Sequence, residues 1–254
     1  MSLPSIVIAL ITWTLSFGAG MAGMAVGARL PEKHRTSDSR TVVTACMALV
    51  ATLTALALGL LLSVAHTSYR ANQEQVLVIS SDLMRMDRLL RMYGPEAGDM
   101  RVVLHDYAEA KMHDLFPPDG HGQHIENEAT LNLLGDLEQK AVLLKPANDT
   151  QSWIRAQVLE MCDGISQARW SLVKVRHDAI PTALLSLLVF WLALLFGSFG
   201  LFAPRHATST IALLLSSAAA SGAILLIIDL ETPDRGLVRL SAEPLRQAIS
   251  KLGH

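Results

Sequence analysis

The stretch "VVTACMALVATLTALALGLLLSVAH" (Val42–His66) sets the architecture of the chain, because it is apolar throughout and carries no charged residue. An α-helix rises 1.5 Å per residue, so roughly 20 apolar residues cross the hydrocarbon core of a bilayer. Three further stretches are also apolar and carry almost no charge: Leu3–Ala28, Ile180–Phe202 and Thr208–Leu230. The sequence therefore predicts four transmembrane helices.

The composition agrees with a membrane protein. Charged residues make up 17% of the 254 residues, whereas soluble domains average about 25%. The first apolar run lacks a preceding basic side chain and is longer than the core of a signal peptide, so we expect it to stay as a membrane helix. No basic run or zinc pattern indicates a nucleic-acid partner. Cys46 and Cys162 lie in an apolar and a polar region, respectively, which predicts two unpaired thiols.

The polar region 67–179 is acidic, with 17 Asp and Glu residues against 12 Lys and Arg residues. Its apolar residues recur every three or four positions, which is typical of amphipathic helices with one buried face. Clear examples are Val76, Ile79, Leu83, Met86 and Leu90, and Ile154, Val158, Met161, Ile165, Ala168, Leu172 and Val175. Gly94-Pro95, Phe116–His124 and Pro146 separate the stripes. We expect four helices in an antiparallel bundle.

These patterns predict an all-α fold in which a four-helix soluble bundle is inserted between the second and third of four transmembrane helices. The expected divisions are 1–66 for the first two membrane helices, 67–179 for the bundle, 180–230 for the last two membrane helices and 231–254 for a tail. No helix breaker separates the second membrane run from the bundle, and only Pro181 precedes the third. Two helices are therefore expected to continue from the membrane into the bundle.

The charges of the short loops predict the orientation in the cell membrane. Arg29, Lys33, Arg35 and Arg40 surround the first short loop, and Arg205 lies in the other. Short loops rich in Lys and Arg tend to stay in the cytoplasm, which places the bundle and both termini outside. Basic residues beside the third and fourth spans argue for the opposite orientation: Arg169, Lys174, Arg176, Arg235 and Arg239.

Small residues mark two of the membrane helices. Gly20, Gly23 and Gly27 follow one another at steps of three and four residues in the first. Ser217 lies one turn before Ser221 in the fourth, and Ala218 one turn before Gly222. Such faces allow helices to approach closely, and they also suit the lining of a narrow pore. Hydroxyl side chains that could contribute to a pore are Thr12, Thr14, Ser16, Thr52, Thr54, Ser186 and Ser198.

Few residues in the sequence indicate a catalytic or metal-binding site. His66 and Asp229 are the ionisable residues in the membrane runs, and both lie near an end, where a side chain reaches the interface. His113, Asp114, Asp119, His121 and His124 cluster in and before a loop, but their spacing matches no known metal site. The sequence has no phosphate-binding loop or nucleophile elbow, so we expect no enzyme, no cofactor and no bound metal.

The tail, "LETPDRGLVRLSAEPLRQAISKLGH" (Leu230–His254), predicts a short amphipathic helix after the fourth span. Thr232-Pro233 ends the span, and Ser241 is the expected N-cap of the new helix. The apolar stripe of this helix consists of Leu245, Ala248, Ile249 and Leu252. It fits either the lipid surface or the acidic bundle, its own or that of a neighbouring copy, and we favour the bundle because about a dozen residues make a weak membrane anchor.

The order of segments and the wording of the tail resemble the bestrophin-like family of four-span proteins from bacteria and plants. The residues that carry the resemblance are Glu231, Pro233, Gly236, Arg239, Ser241, Glu243, Pro244 and Leu245. Asp234 stands where the family usually has phenylalanine. The resemblance implies kinship with bestrophins, which are oligomeric anion channels whose helical portion lies in the cytosol.

Two functions follow from these features. The first is an oligomeric ion channel, for anions by resemblance, in a lipid bilayer; four helices leave little room for a pore, so a homo-oligomer around an axis is expected. The second is a membrane-anchored sensor or scaffold whose acidic bundle binds a partner or an ion.

Overall fold

The structure is a computed structural model that describes residues 5–29, 31, 37–117, 127–177, 182–231 and 240–252. Within these ranges the regular elements are helices, as predicted. The chain forms two compact units. The first consists of Met1–Thr67 with Ile180–Thr232, and the second consists of Ser68–Ala179 with Pro233–His254.

The first unit contains the membrane helices, and we call it the membrane unit. It holds α1 (Ser5–Arg29), the first part of α2 (Ser37–Tyr93), α6 (Thr182–Phe202) and α7 (Ala207–Glu231). Among the described residues these four helices are long and apolar enough to cross a bilayer, and their number equals the number of spans predicted. Helix α1 packs against both α6 and α7. It is therefore the central helix of this packing.

Helix α2 is a single element of 57 residues that begins at Ser37, before the apolar run, and ends at Tyr93, next to Gly94-Pro95. The prediction of an unbroken helix is confirmed here, because neither a proline nor a glycine pair interrupts it. The second helix that we expected to be continuous would pass through residues 178–181. These residues lie outside the described part of the chain, and the helix Asp149–His177 ends before them.

The second unit is the helical bundle. It consists of the last part of α2, α3 (Gly98–Leu115), α4 (Glu128–Leu143), α5 (Asp149–His177) and α8 (Glu243–Lys251). Its core contains the predicted apolar stripes; Ile79, Leu83 and Met86 on α2 are fully buried. Gly94, with φ at 124°, makes the turn between α2 and the 3-10 turn before α3, a backbone conformation that glycine adopts without strain.

The tail helix α8 adds a fifth helix to the bundle. Leu245 and Leu252 belong to the same buried cluster as the stripes of α2, α3, α4 and α5. One prediction was wrong, because Ala242 and not Ser241 occupies the N-cap position, with no side-chain cap. Ser241 Oγ accepts only a long hydrogen bond of 3.4 Å from the Glu243 amide. The Ser241 amide donates to Gln73 Oε1 of α2, which fixes the start of α8 on the bundle.

Candidate functional site

Close contact between helix backbones defines the interior of the membrane unit. A Cβ atom added at Gly23 or Gly27 of α1 would overlap a backbone carbonyl oxygen of α6, at Gly197 or Leu201. At Gly20 an added Cβ atom would lie 3.4 Å from the Phe196 carbonyl oxygen. These three glycines therefore lie where α1 and α6 touch. Only residues without a side chain permit such an approach.

Helix α7 contributes two buried hydroxyls to this interior. Ser221 Oγ donates to the carbonyl oxygen of Ala9 on α1, and Ser217 Oγ donates to Leu214 O within its own helix. Both serines are buried. Gly222 differs from them, because it is exposed and has no atom within 4 Å of a Cβ added to it. The small residues of α7 thus divide between a packed face and an open face.

The membrane part of α2 has one packed face. Thr54, Leu61 and Ala65 are buried, and they follow each other at steps of seven and four residues. Thr54 satisfies its hydroxyl by donating to Val50 O in the preceding turn. At about 100° per residue these three positions share one side of the helix. The other two thirds of its circumference are exposed in the single chain.

The exposed part of α2 consists of two stripes of different chemistry. One stripe is aliphatic; its members are Val42, Leu49, Leu53, Leu56, Leu60 and Val64. The second, which we call the small-residue stripe, consists of small side chains, with the exposed Leu62 at its edge; its members are Ala45, Ala48, Thr52, Ala55, Gly59 and Ser63. At about 100° per residue the two stripes lie on adjacent sides of the helix. Of the members of this stripe, only Thr52 was predicted as a pore candidate from the sequence, although the regular spacing of small residues could have identified the whole stripe.

A buried polar cluster lies between α3, α4 and α5 of the bundle. Asp114 is almost fully buried, and its carboxylate accepts hydrogen bonds from Asn127 Nδ2 at 2.7 Å and Thr130 Oγ1 at 2.6 Å. Asn127 also caps α4, because its side chain accepts from the Ala129 amide. Asp114 belongs to the His and Asp cluster that we weighed as a metal site from the sequence. Its two hydrogen bonds instead make it a link between α3 and α4.

Lys111 is buried beside this carboxylate, one turn earlier on α3. Burial lowers the pKa of Lys111 from 10.5 to about 8, and the neighbouring Asp114 partly offsets this effect. Burial also raises the pKa of Tyr107, whose hydroxyl forms no hydrogen bond within the described structure. Arg169 of α5 lines the same narrow space. Lys111 therefore has both Asp114 and Arg169 as charged neighbours.

The remaining candidates fall on different parts of the chain. His113 is exposed, and no group of three potential metal ligands occurs among the described residues. Asp119, His121 and His124 lie outside those residues. Both thiols are free; burial raises the pKa of Cys162 to about 12, which keeps this thiol protonated and unreactive.

The structure describes only some of the tail residues that carry the resemblance. Glu231 is the last residue of α7, and Glu243 and Pro244 form the first turn of α8. Leu245 is fully buried in the bundle core. Pro233, Gly236 and Arg239 lie outside the described residues. The residues that carry the resemblance thus include the first turn of α8 and the leucine that anchors this helix in the bundle core.

The four spans, the apolar exposed surface and the inserted bundle define a multi-pass helical membrane protein. The sequence matches the family described as the Bestrophin-like domain over residues 14–245. Because this match covers most of the chain, the protein belongs to the bestrophin-like family. The resemblance that the tail indicated is thereby confirmed.

Solved structures show the same fold. A bacterial bestrophin homologue from Klebsiella pneumoniae is 15% identical, with a TM-score of 0.71 over 97% of this chain and 96% of that chain. A variant of that homologue is 13% identical, with a TM-score of 0.72 over 96% and 97%. A structure described as a membrane protein is 14% identical, with a TM-score of 0.71 over 98% and 99%. No protein of curated function matches this sequence.

Proposed function

We propose that this protein is an oligomeric anion channel in which the small-residue stripe of α2 faces the ion path. Membership of the bestrophin-like family supports the proposal, because bestrophins are oligomeric anion channels. The proposed activity is transport and not catalysis. The observation that carries the assignment of the path is the exposure of the stripe in the single chain.

The two exposed stripes of α2 suit different surroundings. Lipid tails pack well against large aliphatic side chains such as those of Leu49, Leu53 and Leu56. The small-residue stripe instead leaves its backbone uncovered and adds the hydroxyls of Thr52 and Ser63. Rings of small and hydroxyl residues from several copies would form a path wide enough for an ion.

Close packing in the membrane unit explains why several copies are required. Helix α1 touches α6 at the backbone, through Gly23 and Gly197, and Ser221 of α7 binds α1 directly. Such contacts leave no lumen between these three helices. A path therefore requires copies arranged in a ring, where one exposed face of each copy turns toward the axis.

The charges near the stripe favour anions. The stripe contains no carboxylate, and Asp229, the acidic residue of the described membrane runs, is buried on α7. His66 and Arg70 follow the stripe on the same side of α2 at steps of three and four residues. A positive side chain at the end of a pore concentrates anions there.

The purified protein in planar bilayers tests the proposal. Under a KCl gradient we expect current that reverses near the chloride equilibrium potential. Bilayers that remain silent over a range of voltage and pH would contradict a channel. Reversal near the potassium potential would contradict anion selectivity and leave the channel intact.

Cysteine substitution tests the assignment of the path. In a Cys46→Ser background, an anionic methanethiosulfonate should block current through Thr52→Cys and Ser63→Cys. Leu53→Cys and Val64→Cys are matched controls, because each lies one residue further along but on the aliphatic stripe. Equal block of both pairs would reject the small-residue stripe as the lining.

The proposal includes a location in the inner membrane of the cell, with the bundle outside the cytoplasm as the short-loop charges predict. Alkaline phosphatase fused after Leu252 should then be active, and a green fluorescent protein at the same site should be dark. A fluorescent fusion would reverse the orientation and place the bundle in the cytosol, as the kinship with bestrophins implies.

A further inference from the structure

A cavity in the bundle lies between the last turns of α2 and the C-terminal end of α8. Its volume is about 510 Å³, within the range of about 300–1,000 Å³ that is typical of small-molecule sites. The lining consists of Met84, Asp87, Arg88, Arg91, Met92, Lys251 and Leu252. All of these residues belong to the bundle.

The carboxylate in this cavity is already neutralised. Asp87 is almost fully buried, and it pairs with Arg91 one turn later and with Arg101 Nε of α3 at 2.8 Å. Arg91 also donates to the carbonyl oxygen of Lys251 at the end of α8. Two guanidinium groups thus share one carboxylate. These contacts hold the wall of the cavity in place.

Two further cations line the cavity. The side chains of Arg88 and Lys251 are exposed and form no ion pair with another described residue. They approach the cavity from different helices, α2 and α8. The inserted region as a whole is acidic, with 17 acidic against 12 basic residues. Arg88 and Lys251 therefore make the cavity a positively charged site beside an acidic region.

Apolar side chains complete the lining. Met92 is exposed at the cavity, Met84 lies two turns before it, and Leu252 joins the cavity to the bundle core. Methionine is flexible and polarisable, so it adapts to apolar groups of different shape. Guanidinium groups bind phosphate and carboxylate through two parallel hydrogen bonds. The two kinds of lining together fit a molecule with an anionic head and an apolar body.

We propose that this cavity binds a small organic anion, a phosphate or carboxylate on an apolar body, between Arg88 of α2 and Lys251 of α8. Binding would link the two helices and hold the tail on the bundle. The inference does not rest on the channel function, because it uses bundle residues alone.

Titration of the full-length protein in neutral-lipid nanodiscs with 1-naphthyl phosphate tests the proposal. We expect saturable binding that is tighter than that of inorganic phosphate, and no binding of 1-naphthol. Replacing Arg88 or Lys251 by Gln should weaken the binding of 1-naphthyl phosphate about tenfold or more, because each change removes one charge-assisted contact. A tenfold loss of affinity corresponds to about 1.4 kcal/mol of binding free energy. Absence of binding to the wild type would overturn the proposal.

Arg85→Gln is the matched control. Arg85 lies three residues before Arg88 on α2, carries the same charge and binds Gln157 of α5 outside the cavity. The Arg85→Gln variant should bind 1-naphthyl phosphate with unchanged affinity. Equal losses of affinity in Arg85→Gln and Arg88→Gln would show only a general electrostatic attraction to the bundle and would reject the site. Nanodiscs with phosphatidic acid form a second arm. If phosphatidic acid competes with 1-naphthyl phosphate, the phosphate in this site comes from a lipid headgroup. If the lipid does not compete, the ligand is a soluble molecule.

Discussion

Gly23 of α1 and Gly197 of α6 lie in direct backbone contact, so that a Cβ atom at Gly23 would overlap the Gly197 carbonyl oxygen. Gly200 of α6 has the same relation to Gly20 of α1. Each of the two helices therefore presents a glycine to a backbone carbonyl oxygen of the other. In a bilayer, helix association depends on such close packing, because lipid supplies no hydrophobic force between helices.

We expect Gly23→Ala to destabilise the membrane unit by about 1–3 kcal/mol, the usual cost of overpacking. Gly222→Ala on α7 is the control, because its added Cβ atom meets nothing within 4 Å. Alanine is favoured over glycine in a helix by roughly 1 kcal/mol, so the control should be neutral or stabilised. Thermal unfolding in detergent measures both variants. If Gly23→Ala melts at the same temperature as the wild type, α1 and α6 can move apart to admit the added Cβ atom without a loss of stability.

Asp114→Ala should destabilise the bundle by about 3 kcal/mol or more, because it leaves the buried Lys111 without its carboxylate. It also removes the acceptor of Asn127 and Thr130. Asp106 lies on the same helix and is exposed, so Asp106→Ala should have little effect. Chemical denaturation of the two variants gives the comparison. A loss of similar size in both would assign the effect to charge or helix propensity instead of the buried link.

The stability of the bundle should depend on pH through Lys111. Its pKa falls from 10.5 to about 8 on folding, so the unfolded chain binds more protons between these values. Stability contributed by this group therefore rises with pH above about 8, by roughly 1 kcal/mol per pH unit. Below pH 8 the burial penalty of the charged amine is fully present.

Comparison with Lys111→Met isolates this dependence. Between pH 7 and 9 the unfolding free energy of the variant minus that of the wild type should fall as the pH rises, because only the wild type gains stability from the deprotonation of Lys111. Restricting the range to pH 9 limits the contributions of Cys162 and Tyr107, whose pKa values are raised on folding. A difference that stays constant would show that Lys111 is solvated in the folded protein.

Leu245→Ala should release α8 from the bundle. Leu245 is fully buried in the core, and truncating a buried leucine costs about 2–5 kcal/mol. Amide hydrogen exchange in α8 should accelerate strongly, whereas Arg246→Ala, an exposed neighbour, should leave it unchanged. Slow exchange in both variants would mean that other contacts, such as Ser241 with Gln73, suffice to hold the helix.

The periodicity of apolar residues predicted most of the helices, because hydropathy and helical repeat are local properties. Ile79, Leu83 and Met86 illustrate this, since their spacing alone assigned them to the core. The N-cap of α8 was misassigned for the opposite reason. Ser241 has the right side chain for a cap, but its backbone is held by Gln73, a residue far away in the sequence.

The sequence by itself determined the long apolar helices, the amphipathic stripes of the polar region and the family, since these rest on hydropathy, residue spacing and the order of residues along the chain. The tertiary structure decided which face of each helix is covered. It brought Gly23 against α6 and left Gly222 open, although both lie in similar runs of small residues. It also joined Arg88 to Lys251 around one cavity. Such contacts depend on which backbones meet, and residues distant in the chain set them.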